Sequence, residues 1–175
     1  MARKIIFLDR DGVINKEVEY LHKIEDFVFI DGVFASLKYL KSLDYEFIIV
    51  TNQSGIGRGW YLEADYEILM SWMFKEFNKH GLTFLDSFYC PHQPDANCDC
   101  RKPKPGLLMQ AIEKYEISKE RSWMIGDSER DIRAANYAGI FNTVIVESGH
   151  PVNKKETSAN YLIDSIKNID QIIFD

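Results

Sequence analysis

Long apolar runs are missing from this chain. The opening stretch Ile5–Leu8 is stopped by Asp9, far short of a secretory leader, and no later run approaches the ~18 apolar residues that cross a bilayer. No membrane partner is expected, and the protein is expected in the cytoplasm. Basic residues are also in short supply: Lys and Arg number 21 against 27 Asp and Glu, for a net charge of -6. A polyanion would meet net repulsion at long range, so nucleic acid is not an expected partner. A small phosphorylated substrate remains open, because a few local cations and a metal outweigh a distant net charge. Cysteine is scarce, with Cys90, Cys98 and Cys100 the only three, and an odd count argues against a disulfide framework. Low-complexity segments, repeats and linkers are absent. With 46% hydrophobic and 27% charged residues in 175, one globular domain spanning 1–175 and one core are expected. A monomer is expected.

What the sequence does contain is alternation. Short apolar runs at Lys4–Leu8, Glu46–Val50, Ser87–Tyr89, Ser122–Ile125, Thr143–Val146 and Tyr161–Ile163 predict strands, most of them nearly continuous, as in parallel strands buried on both faces. Between them lie helical periods. In Glu63–Lys79, Tyr66, Leu69, Met70, Met73 and Phe77 recur at three- and four-residue steps, and His80-Gly81 ends the run. Helices are also expected over Val33–Leu43, Gly106–Tyr115, Glu129–Ala138 and Ile166–Ile172. The order predicts an α/β fold, a Rossmann-like parallel sheet with helices on both faces. In such folds chemistry gathers beyond the carboxyl ends of the strands.

Those ends are polar. Asp9 and Asp11 follow the first strand, two residues apart and so on one side of an extended backbone, and Gly12 lets the chain turn away. Two neighbouring carboxylates repel, and a bound cation or opposed protonation states would reconcile them. An isolated Asp-x-Asp is otherwise an ordinary solvated strand end. Thr51 and Asp127 close two further strands and bring a hydroxyl and a third acid to the same sheet edge. Asp131 reads as a helix cap, in the Ser-x-x-acid form of Ser128–Asp131. Arg101 and Lys102, followed by Pro103 and Pro105, make a stiff basic loop suited to phosphate.

The cysteine segment reads as a metal loop. Cys90-x-His92, five residues, then Cys98-x-Cys100 supplies the Cys₃His set that tetrahedral Zn²⁺ prefers. Four protein ligands leave no position for water, so the ion in loop 90–100 is expected to be structural and to fix the segment that delivers Arg101. His22, His80 and His150 carry no comparable spacing and are assigned no chemistry. Trp60, Trp72 and Trp123 are expected in the core or at a pocket rim.

Asp9-x-Asp11-Gly-Val-Ile-Asn, Thr51-Asn52-Gln53-Ser54, Arg101-Lys102-Pro103 and Gly126-Asp127, in that order, resemble the haloacid dehalogenase superfamily of phosphatases. Tyr20–Val33, Val50–Gly59 and Cys90-Pro91-His92 resemble its heptose bisphosphate phosphatase branch, whose near relatives are histidinol phosphatases. The resemblance implies Asp9 as nucleophile, Asp11 as acid and base, and Thr51 and Lys102 as stabilisers of the phosphoryl group. It implies Mg²⁺ held by Asp9, Asp11 (through its backbone carbonyl) and Asp127, and the same structural Zn²⁺. Arg101, Asn52, Gln53, Ser54, Glu17 and Tyr20 would contact a phosphorylated sugar. Ser128 would do so too, where heptose enzymes often carry lysine; Arg130 is a candidate to compensate. About 40 residues between Asp11 and Thr51 leave no room for a large cap domain. The implied activity is removal of a sugar phosphate in nucleotide-activated heptose synthesis. The five-residue zinc insert looks instead like histidinol phosphatase, and the longer match of Tyr20–Val33 and Gly55–Gly59 is preferred over it. A phospho-acceptor signalling domain would share the fold but gives no reason for a zinc loop. A zinc-stabilised interaction module leaves the acids unexplained, and a polynucleotide phosphatase conflicts with the negative charge.

Overall fold

Each short apolar run becomes one strand of a single parallel sheet. The computed structural model describes residues 2–174. Along the chain run β1 (Ile5–Leu8), a 3-10 turn (Ile24–Asp26), α1 (Val33–Ser42), β2 (Glu46–Asn52), a one-turn α2 (Ser54–Gly57), α3 (Glu63–Lys79) and β3 (Asp86–Cys90). There follow α4 (Gly106–Tyr115), β4 (Trp123–Gly126), α5 (Glu129–Ala138), β5 (Asn142–Val146), β6 (Tyr161–Ile163) and a 3-10 segment (Ile166–Gln171). The expected α/β sheet with helices on both faces is present. The strand order is β3-β2-β1-β4-β5-β6, every neighbouring pair parallel.

Alternation along β1 sets the two layers. Ile6 and Leu8 face a core shared with Leu37 and Leu40 of α1, Leu69, Met73 and Phe77 of α3, and Ile166. Ile5 and Phe7 face the opposite layer, built from Leu107, Leu108 and Ala111 of α4 and Ala134, Ala135 and Ala138 of α5. Small alanines let α5 approach closely, while aromatic bulk fills the other side, where Phe77 meets Phe29, Phe34 and Phe84. Among the described residues no helix is long and apolar enough to cross a membrane.

Differences from the expected elements are local. The last helix closes as a 3-10 segment over Ile166–Gln171 instead of the α-helix expected over Ile166–Ile172; Ile166 and Ile169, three apart, are its buried positions, and a three-residue repeat suits the tighter helix. Ser122 lies just outside β4, where its hydroxyl accepts the Ile5 N–H at 2.9 Å and donates to the Ser118 carbonyl. The turn α2 follows β2 without any expected helix there; its N–H groups close on Gln53 and Ser54 carbonyls.

After β1 the chain proceeds outward through β2 and β3, then returns to β4 on the other side of β1. The connections following β1 and β4 therefore diverge, opening a crevice beyond their carboxyl ends. Asp9 and Asp127 stand directly at that crevice, and Thr51 closes β2 beside them.

Candidate active site

A cavity of about 220 Å³ opens there, lined among others by Asp9, Asp11, Asn52, Gln53, Lys102 and Asp131. Lys102 is its most constrained residue. It is 1% exposed, and its ammonium donates to Asp131 Oδ1 at 2.6 Å, to the Val50 carbonyl at 2.7 Å and approaches Asp9 Oδ1 at 3.2 Å. Burial works against the charged amine, but Asp131 and Asp9 outweigh it and hold its pKa above the ordinary value. The peptide of Lys102 is fixed twice by Asn52, whose Oδ1 accepts the Lys102 N–H and whose Nδ2 donates to the Lys102 carbonyl, both at 3.0 Å. Asn52 thus ties the basic loop to β2.

Asp9 accepts the Arg10 N–H at 2.7 Å. Burial pushes its carboxyl well above the usual range; Lys102 pulls it down, and the charges of Asp131, Asp127 and Asp11 raise it. Asp11 is oriented separately: Arg10 Nη2 donates to Oδ1 at 2.8 Å, Asn15 Nδ2 to Oδ1 at 2.9 Å, and Gln53 Nε2 to Oδ2 at 3.1 Å. The same Gln53 amide donates to the Thr51 hydroxyl at 3.0 Å, and its carbonyl accepts from Tyr61 Oη at 2.6 Å. Arg10, fully buried, fills the space behind Asp11.

Asp127 is wedged between two glycines. A side chain on Gly12, whose φ is +80°, or on Gly149 would collide with its carboxylate. Its Oδ2 accepts from the His150 backbone N–H at 2.9 Å and meets His150 Nδ1 at 2.6 Å. Burial and the Asp131 charge raise its pKa, against the pull of His150. Asp131 caps α5 as expected, accepting the N–H groups of Asp127 and Ser128 at 3.1 Å each and the Ser128 hydroxyl at 3.2 Å, yet its other oxygen holds Lys102. The cap is also the counter-ion.

The sequence-identified residues Glu17, Tyr20, Asn52, Gln53, Ser54, Arg101 and Ser128 all line the cavity. Burial and the Asp11 charge lift Glu17 to about 7. Tyr20 has φ +57° and its ring stands edge-on to Trp60 at 4.2 Å, which places Trp60 at the rim. Sequence reasoning missed His150, to which no chemistry had been given and which sits on Asp127, as well as Arg10, Arg58 and Tyr61. Neither Gly149-His150 nor the lone arginines carry a spacing that signals the site. His22 and His80 stay outside it, His22 stacked on Tyr61 and His80 tilted against Phe34.

The cysteine loop is assembled beside this floor. Cys90 Sγ lies 3.4 Å from His92 Nδ1 and 3.6 Å from Cys98 Sγ, and His92 Nδ1 lies 3.3 Å from Cys100 Sγ. All four ligand atoms lie within 4.8 Å of one another. A Zn–S bond near 2.3 Å implies tetrahedral edges of about 3.5–3.8 Å, so the donor set fits Zn²⁺. Burial opposes the Cys98 thiolate, but the Arg101 N–H and the neighbouring thiols bring it down to about 7. Lys104 Nζ donates to the Cys98 carbonyl at 2.6 Å, and the Gly57 N–H to the Pro91 carbonyl at 2.8 Å, tying the loop to the basic segment that follows it and to α2. The carboxylates of Asp9, Asp127 and Asp131 also lie within 4.8 Å of one another; Asp131 is taken up by Lys102 and the α5 cap, which leaves the oxygens of Asp9 and Asp127 for a cation, and such an all-oxygen donor set fits Mg²⁺.

A carboxylate oxygen free to attack, beside an ammonium that can hold the oxygens of a transferring anion, suits displacement at phosphorus. On a parallel sheet wound in this order, that chemistry defines the aspartate-based hydrolases of the haloacid dehalogenase type. Residues 99–169 match the family model described as HAD-hydrolase-like. D-glycero-alpha-D-manno-heptose-1,7-bisphosphate 7-phosphatase of Photorhabdus laumondii is 46% identical over 163 residues, covering 89% of each chain. The corresponding beta-anomer phosphatase of Pasteurella multocida is 41% identical, covering 98% of this chain and 97% of its own. The crystal structure of D,D-heptose 1,7-bisphosphate phosphatase from B. bronchiseptica, complexed with magnesium and phosphate, superposes with a TM-score of 0.86 at 28% identity over 96% of each chain. The chain belongs to this family of HAD-like phosphatases and is a phosphoric monoester hydrolase.

Proposed function

We propose that this chain removes the 7-phosphate of D-glycero-D-manno-heptose 1,7-bisphosphate, on the way to a nucleotide-activated heptose. The observation that carries the reading is the buried Asp9–Lys102–Asp131 constellation at the mouth of β1, in a chain whose relatives bear that activity over nearly their whole length. An oxygen of Asp9 attacks the phosphorus, the bond from phosphorus to the sugar oxygen breaks, and Asp11 gives its proton to the leaving alkoxide. Asp11 then takes a proton from water, whose oxygen attacks the aspartyl-phosphate; inorganic phosphate leaves and Asp9 is restored. Lys102 and the Thr51 hydroxyl donate to the phosphoryl oxygens throughout. Asp9, Asp127 and the backbone carbonyl of Asp11 would hold Mg²⁺, which supplies the positive charge that lets an anionic nucleophile meet an anionic phosphate. The loop 90–100 would hold Zn²⁺, and its reduced thiols suit the cytoplasm.

Phosphate release tests the reading. With Mg²⁺, release from at least one anomer of heptose 1,7-bisphosphate is expected to exceed release from histidinol phosphate, and EDTA is expected to abolish it. The comparator is chosen because only five residues separate His92 from Cys98, a length that resembles histidinol phosphatase. Faster release from histidinol phosphate overturns the substrate assignment; no release from either, with stoichiometric phosphate uptake instead, points to a phospho-acceptor.

Zinc loss has its own signature. Cys98→Ser is expected to remove about one zinc equivalent and to lower stability by roughly 4 kcal/mol, about 10 °C in Tm for a chain of this size. Because Cys100 directly precedes Arg101, KM is expected to rise more than kcat falls. A variant retaining a full zinc equivalent, measured by elemental analysis, removes Cys98 from the ligand set.

A further inference from the structure

Gln53 lines the cavity, yet it has little left with which to meet a ligand. It is 3% exposed, and its amide is engaged at both ends. Nε2 donates to Asp11 Oδ2 at 3.1 Å and to the Thr51 hydroxyl at 3.0 Å, while Oε1 accepts from Tyr61 Oη at 2.6 Å. An amide nitrogen carries two hydrogens, so both are taken.

The orientation of that amide is forced from two sides. A carboxylate only accepts, so Asp11 requires the NH₂ end, and the carbonyl end is left to Tyr61. Tyr61 answers as a donor: burial holds its phenol up at about 12, so the hydroxyl keeps its proton at neutral pH. Its ring is clamped. His22 stacks on it with centroids 4.9 Å apart and 8° between the planes, and a side chain on Gly55 would collide with it. The backbone of Gln53 is held as well, its N–H donating to the Cys90 carbonyl at 2.7 Å.

The consequence falls on Thr51, which is 1% exposed. A hydroxyl has one hydrogen. Because the Thr51 oxygen accepts from Gln53, that hydrogen turns away from the amide, and among the described residues it meets no other acceptor. It is therefore left for a phosphoryl oxygen, and a donor fixed beforehand needs no reorganisation during the reaction. Were the amide free to turn, Thr51 would donate back to Gln53 Oε1 and be lost to the phosphoryl group. Asp11 has other holders, Arg10 and Asn15, so a loosened Gln53 is felt chiefly at Thr51.

We propose that Tyr61 and Gln53 are positioning residues for phosphoryl transfer: Tyr61 fixes the Gln53 amide, and the amide aims the Thr51 hydroxyl at the phosphoryl oxygens while bracing Asp11. The proposal rests on the phosphatase reading of the Asp9 site and takes Gln53 out of the residues expected to contact the sugar.

The test measures phosphate release from heptose 1,7-bisphosphate and from 4-nitrophenyl phosphate, which has no sugar. Tyr61→Phe removes one oxygen from a packed ring. It is expected to keep the fold and to lower kcat about tenfold on both substrates with KM changed by less than about twofold, a part of the roughly 10²–10³ lost when such a donor is removed outright. Gln53→Met fills the same space without a donor and is expected to lower kcat about 30-fold on both; adding Tyr61→Phe to it is expected to cost less than about twofold more, since the phenol then has no amide to fix. A Gln53 that reads the sugar gives the opposite split, a raised KM on the heptose and no change on the aryl phosphate. That split, an unchanged kcat in Tyr61→Phe, or an undiminished loss from Tyr61→Phe in the Gln53→Met background overturns the proposal. The heptose reading fails separately: release from the aryl phosphate alone, with the same kcat losses, supports the two positioning residues while removing heptose as the substrate.

Discussion

Asp9→Asn is expected to fold, to retain zinc and to lose phosphate release by about 10⁴-fold or more, the scale seen when a nucleophile is removed from an otherwise intact site. The amide keeps the shape and the contact with the Arg10 N–H but cannot form the acyl phosphate. The same variant is expected to be more stable than the wild type in EDTA at pH 8. Burial and three neighbouring acids hold the Asp9 carboxyl well above its ordinary pKa; the folded state therefore binds its proton more tightly than the unfolded chain does. Stability falls as pH rises from the unfolded pKa, near 4, through the raised folded value, and stays lowered above it. Asparagine carries no such penalty, so the gap in Tm between variant and wild type is expected to open from acid to neutral pH. Lys102 keeps Asp131 as its partner in the variant, so no orphaned ammonium offsets the gain. Wild-type turnover in Asp9→Asn sinks the nucleophile assignment, and a gap that closes with rising pH sinks the electrostatic account. A site that lowers stability to hold a reactive carboxylate is a familiar trade between stability and activity.

The strands were legible because burial on both faces leaves a run such as Glu46–Val50 almost no polar choice, and their polar ends were legible because a parallel sheet gathers them at one edge. The cluster of Cys90, His92, Cys98 and Cys100 was legible from spacing alone, since the four lie in one short segment and need no tertiary knowledge to be brought together. His150 was not legible. It reaches Asp127 from the loop after β5, 23 residues further along the chain, and only the close approach that Gly12 and Gly149 permit puts it there. Asp131 was half legible: Ser128-x-x-Asp131 announced the cap, but its second oxygen meets Lys102 through the packing of α5 against the basic loop, which no local pattern encodes. Arg58 is similar. A cation beside Trp60 in sequence is unremarkable until Tyr20, from a distant turn, closes on the same ring.

Lys102→Met is expected to cost both function and folding, and the two losses can be pulled apart. Removing the ammonium leaves Asp131 and Asp9 buried without their cation, a change worth about 3–5 kcal/mol when one partner of a buried pair is deleted. The pH dependence has a defined sign. Lys102 has its folded pKa raised above the unfolded value, so its stabilisation is fully present below about 10.4 and lost as pH rises through the folded value. At the acid end the variant recovers for a different reason: without Lys102 to pull it down, Asp9 takes up a proton at higher pH and its share of the uncompensated charge disappears. Urea denaturation in EDTA is therefore expected to show the widest gap between wild type and variant at pH 8–9 and a narrower one near pH 5. Adding Asp131→Asn removes one of the two stranded carboxylates, the one closer to the lost ammonium, and is expected to restore part of the lost stability, because a neutral side chain demands less of a dry site than a lone charge. Phosphate release is not expected to return with it, since no ammonium then meets the phosphoryl oxygens. Recovery of both together in the double variant would make Lys102 a structural residue alone; recovery of stability without turnover assigns it to the phosphate as well as to Asp131.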